Sequence, residues 1–149
     1  MIASVLIIVV SGVLFVYWFR YTVLFLLKTG SPRDYASQFA AANGLKFIQL
    51  ESASLKDAPA SELQEVQQLL ERDYRLLKFL LDHTSSLEVG GATLEQRLLM
   101  LDFKLMQLVC TLSRVLGIGR ARAALAEMTV IVSQLANAMG ERAESANRA

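Results

Sequence analysis

The most marked pattern in the chain is its first stretch. Residues 2–19 carry no charged side chain, and at about 1.5 Å of helix rise per residue they would extend roughly 27 Å, close to the hydrocarbon thickness of a bilayer. No polar face exists before Arg20, so the pattern predicts a helix that spans a membrane rather than one lying on its surface. A second apolar run, residues 23–27, leads to Lys28. An unbroken helix to Leu27 would be about 39 Å long, which requires tilt or an interfacial last two turns.

Beyond residue 28 the periodicity turns helical and the punctuation short. Ser31 is a candidate N-cap, Pro32 suits the first helical position, and Gly44 after Asn43 marks a stop, which predicts a helix over residues 32–43. Residues 45–50 are apolar enough for a short strand, but no second strand exists to pair with them, so a helical turn reaching about residue 54 is favoured. Residues 56–60, with Pro59, read as a loop.

Ser61 and Gln64 have capping-box spacing and open a helix over residues 62–83, with Leu63, Val66, Leu69, Leu70, Tyr74, Leu77, Leu80 and Leu81 on its apolar side. Two serines and two glycines in residues 84–91 break it. Thr93 and Gln96 repeat the box and open a helix to about Leu116, with Leu98, Leu105, Met106, Val109 and Leu112 expected inward; its broad apolar face predicts that this helix is the centre of the domain. After Gly117 and Gly119 a last helix covers residues 120–139 and stops at Gly140.

The fold class that follows is all-α: one N-terminal transmembrane helix, then a small antiparallel bundle of about four to five helices. The chain divides into an anchor (residues 1–28), short helices and a loop (29–60), a three-helix core of the bundle (61–140) and a flexible polar tail (141–149).

Charge placement orients the anchor. No Lys or Arg precedes it, while Arg20, Lys28 and Arg33 crowd its C-terminal end, which predicts the N-terminus outside and the C-terminal domain in the cytoplasm, at a plasma or inner membrane. Tyr17, Trp18 and Tyr21 around Arg20 resemble an interfacial aromatic belt, with Lys28 closing the boundary. A cleaved signal peptide would want a basic start, a shorter apolar core and a small-residue cleavage site, and none of these is present.

Composition narrows the function classes. Removing the anchor leaves about 120 residues, enough for one compact core. The net charge is +1 with both signs interspersed, so the strongly basic face of a nucleic-acid binder is missing. The single cysteine, Cys110, cannot close an internal disulfide and lies among leucines, as an inert core thiol would.

Two acids break the apolar stripes. Asp73 projects among Leu69, Leu70 and Leu77, and Asp102 sits in the apolar side of the next helix. Each must find an Arg, Lys, Tyr or backbone amide, or else titrate upward. Structural pairing is the favoured reading; the sharper alternative makes Asp73, Asp102 and His83 a converging acid or metal site. The only histidine lacks a glutamate three residues before it, and one Cys with one His falls short of a zinc site, so no catalytic residue, metal or cofactor is assigned. Arg114, Arg120 and Arg122 flank the last turn and form a candidate anion or partner site, weighed against simple solvation.

The reading favoured overall is a non-enzymatic single-pass membrane protein whose cytoplasmic bundle serves as an accessory subunit or adaptor, with the lipid bilayer and protein partners or its own copies as what it binds. The alternative is a membrane-tethered enzyme or ligand-binding bundle built on Asp73, Asp102 and His83.

Overall fold

A computed structural model describes residues 1–28, 35–52, 59–87, 93–116 and 119–148. Among them every regular element is an α-helix, six in all: α1 (Ile2–Lys28), α2 (Ala36–Asn43), α3 (Phe47–Ser52), α4 (Ala60–Leu87), α5 (Leu94–Val115) and α6 (Ala121–Arg148). The chain falls into two compact units, Met1–Gly30 and Ser31–Ala149.

The first unit is α1. It runs unbroken through the second apolar run to Lys28, a length of about 40 Å at the standard rise. Its segment Ile2–Val23 is long and apolar enough to cross a membrane. The Thr22 hydroxyl is satisfied within the helix, its Oγ1 donating to the Trp18 carbonyl at 3.0 Å.

In the second unit the centre is α6, not α5. It packs against α2, α3, α4 and α5 in turn. Its buried residues, from Ala121, Ala124 and Leu125 to Met139 and Gly140, cover about half the circumference at 100° per residue. Alanines and a glycine within that arc let neighbouring backbones come close, α5 among them. Small residues on a wide arc make the hub; leucine abundance does not.

The two short helices could not stand alone, since isolated helices below roughly 12 residues are marginal in water. Both have their first amides held by side chains from distant helices. Asn137 Oδ1 of α6 accepts from the Tyr35 amide, the N-cap of α2, at 2.7 Å. Asp73 Oδ2 of α4 accepts from the Lys46 and Phe47 amides at the start of α3, at 2.8 and 2.9 Å. The expected cap Ser31 and the helical start at Pro32 lie outside the described residues. Between α2 and α3, Gly44 adopts the left-handed conformation at φ 65°. The Leu45 amide reaches back to the Ala40 carbonyl at 2.9 Å, ending α2 as its sequence predicts.

Three expected boundaries move. The Ser61–Gln64 capping box does not form, because α4 starts earlier: the Pro59 carbonyl already accepts from the Glu62 amide at 3.0 Å, which places Ser61 inside the first turn. At its other end α4 passes the two serines and continues to Leu87. Gly140 is likewise no stop. It is buried inside α6, where a Cβ would come within 2.6 Å of Tyr35 Cβ, so its glycine serves close approach of the start of α2. The segment read as a loose tail continues α6 to Arg148, carried by an Arg148–Glu144 pair at 2.8 Å and by Ser145 Oγ donating to the Glu141 carbonyl. The Thr93–Gln96 box forms in both directions and starts α5 as expected.

Candidate functional site

Among the described residues, Asp73, Arg114 and His83 each meet different neighbours. Asp73 is buried, 3% exposed, because it lies on the inward side of α4. Its carboxylate is the cap of α3 just described. Burial pushes its pKa above the ordinary carboxylate value, against the lowering pull of the Lys46 and Phe47 amides and of the Arg72 and Lys46 charges. The backbone amide, one of the partners expected for it, is the one it has.

Beside Asp73 on α4, Tyr74 turns toward α5. Its ring stacks on Phe103 at 4.0 Å between centroids and 7° between planes, its hydroxyl reaches the Met100 carbonyl at 3.4 Å, and the Lys104 ammonium stands 5.6 Å from its ring centre. Asp102 is fully buried on α5 and is not without interactions. Among the described residues, no buried side-chain nitrogen or oxygen lacks a hydrogen-bond partner.

The seam between α4 and α5 is polar at its other end. Gln67 is buried and its Oε1 accepts from Arg114 Nη1 at 3.2 Å and from Cys110 Sγ at 3.5 Å, while Gln64 Oε1 accepts from Arg114 Nη2 at 2.9 Å. Arg114 is thereby a clamp between two helices, its fork spent on two amides. Cys110 is fully buried and its thiol pKa is raised, chiefly by desolvation. Arg120 and Arg122 are exposed, Arg122 with interactions of its own. The glycine turn's Gly117 and Ile118 lie outside the described residues.

His83 is exposed and lies against Phe79 of its own helix, ring centroids 4.9 Å apart. Asp73 is turned inward to α3. Among the described residues, no three His, Cys, Asp or Glu side chains stand together as a metal site. A shallow groove of about 540 Å³ runs between Tyr35 and Phe39 of α2 and Ala143 and Asn147 of α6. It is open to solvent and lined by no convergent charges.

Of the expected membrane-boundary residues, Tyr17, Trp18 and Tyr21 are 60–66% exposed on α1, with Trp18 and Tyr21 edge to face at 6.3 Å. Arg20 is partly exposed and engaged. The side chain of Lys28 is outside what the structure describes.

The largest correction concerns α5. Its buried face is Gln96, Leu99, Asp102, Phe103, Met106, Cys110 and Ser113. Of the leucines and valine expected inward, Leu112 is 48% exposed and Leu98, Leu105 and Val109 are only partly covered. On the opposite side Leu94, Leu101, Leu108 and Val115 stand 77, 61, 55 and 76% exposed. Together with Leu98, Leu105 and Leu112 they form one stripe whose members are separated alternately by four and three residues. The signal was readable in the sequence as a seven-residue repeat, and it lies outside because the helix has two apolar faces, of which the aromatic and sulfur-containing one packs on the core. Comparison of the chain with protein-family models, with curated proteins and with solved structures finds no match to any of the three.

Proposed function

We propose that the protein is a non-enzymatic, single-pass membrane protein that holds a small helical bundle on the cytoplasmic side of a plasma or inner membrane, as an accessory subunit or adaptor. The observation that carries this reading is α1. It is long and apolar enough to span, and from Ile2 to Trp18 every side chain is exposed, a surface that water would not tolerate and lipid would. The cluster of Arg20, Lys28 and Arg33 behind it supports the inward placement of the C-terminal body. Buried Asp73 and Gln67 support a non-catalytic role, being engaged in capping and clamping helices, while a leucine face is left in solvent for protein contact.

Membrane fractions washed in alkaline carbonate should retain the full-length chain, and its intact mass should include residues 1–28. Protease added outside sealed cells should leave the C-terminal body undigested. Release by carbonate would remove the anchor, a mass lacking the first segment would make it a cleaved leader, and digestion of the body from outside would reverse the orientation.

A further inference from the structure

The outward stripe of α5 points to its own occupant: we infer that the protein pairs with a second copy of itself through a parallel two-helix coiled coil along Leu94, Leu98, Leu101, Leu105, Leu108 and Leu112, ending at Val115. This rests on the protein-contact part of the function proposed above and not on its membrane part.

Spacing comes first. Alternating steps of four and three residues place the stripe on a 3.5-residue period, the period at which one helix keeps facing another along a left-handed supercoil. Over the 22 residues of α5 this is three consecutive heptads with every seam position apolar. A helix lying on lipid or in a shallow groove needs only a face of 3.6-residue period and gains nothing from the stricter repeat. Identical seams satisfy one another across a two-fold axis, since the same patch is presented by both copies.

Area is the second argument. The exposed part of the seam side chains amounts to roughly 600 Å² per copy, so two copies that cover it fully bury about 1,200 Å², the lower bound of specific, stable interfaces. Charge sets the direction. With Leu98, Leu105 and Leu112 at the a positions, Arg97 and Lys104 occupy one flank (g), while the other (e) holds Glu95, Val109 and Asp102, the last buried within its own bundle. An antiparallel pair sets the basic flank of one copy against that of the other, whereas a parallel pair sets it against the opposite flank and meets no like charge.

The full chain in mild detergent, sized by light scattering at micromolar concentration, is expected to have twice the mass of one chain. The double variant Leu101→Glu/Leu108→Glu is expected to halve that mass with its helical circular dichroism unchanged, because both side chains already face solvent. A cysteine at a d position should crosslink to itself under mild oxidation in a parallel pair: Leu101→Cys is expected to give a covalent dimer, while wild type, with Cys110 buried, and the exposed control Ala123→Cys are not. A wild-type mass of one chain overturns the inference, and so does a dimer that survives the double variant, which would assign pairing to another surface. Absence of the Leu101→Cys crosslink in a dimer sensitive to the double variant overturns the parallel arrangement. Carbonate extraction reports on the anchor separately, so either reading can fail without the other.

Discussion

Asp73 acts on a helix to which it does not belong. Its carboxylate supplies what α3, only six residues long, has no side chain of its own to supply, so replacing it by alanine orphans the Lys46 and Phe47 amides. Asp73→Ala is expected to cost about 1–3 kcal/mol in denaturant unfolding of the purified chain. Because burial raises its pKa, the native state holds this proton more tightly than the unfolded one. The contribution of the carboxyl is therefore fully present below its unfolded value and declines as pH rises through its higher native value. Asp73→Asn keeps an acceptor and cannot titrate; it is expected to match or exceed wild-type stability near neutral pH and to flatten that decline when melts are compared across pH. Gly140 makes the complementary case. Alanine at an ordinary helical glycine gains about 1 kcal/mol. Here its Cβ would fall 2.6 Å from Tyr35 Cβ and 3.2 Å from the Tyr35 carbonyl oxygen, so Gly140→Ala is expected to lower stability by about 1–3 kcal/mol, read from the same melts. That both acids sit among apolar positions was legible from spacing alone. Their partners were not, since the amides that hold Asp73 come from 26 and 27 residues away and local pattern carries no such information.

At the level of helices, local signals succeeded where the cause was local. The Thr93–Gln96 box and the Gly44 stop needed only their own neighbours, and Thr93→Ala is expected to cost about 1 kcal/mol by thermal melt. Signals failed where tertiary contact decides. Gly140 reads as a terminator until Tyr35 is seen lying against it, and Ser61 reads as a cap until Pro59 is seen to open the helix two residues sooner. Helix α5 shows the same limit in another form. Two apolar faces were present in its sequence, and periodicity could not say which one the core would take; the stacking of Phe103 on Tyr74 and the enclosure of Met106 and Cys110 decide it. The Arg114 clamp belongs to this scale too. Arg114→Ala removes two charge-assisted bonds to α4 at a partly solvated site and is expected to cost about 1 kcal/mol, whereas charge reversal at the exposed Arg120 should leave the melt within ~0.5 kcal/mol.

For the whole molecule, the all-helical class and the apolar first helix follow from the pattern of polar positions, while the choice of α6 as hub does not. Hubs are chosen by which helix can be approached from most sides, and that depends on small residues at the contact points more than on hydrophobic content. The expectation is specific: truncation after Gly119, which removes α6 and leaves α1 to α5, should abolish cooperative unfolding of the body, because α2, α3, α4 and α5 all lean on the missing helix. Truncation after Gly140 removes Arg142, whose guanidinium donates to Gln96 Oε1 at 2.9 Å, and should weaken the body without abolishing its transition.

Because α6 comes after the four helices that depend on it, they emerge from the ribosome before the surface they need exists. The nascent body must wait, with its leucines uncovered, until synthesis has passed residue 140. Chaperone engagement before α6 is synthesised, and sensitivity of yield to slow codons within the α6 coding stretch, are the cellular marks of a body whose keystone follows the helices it supports.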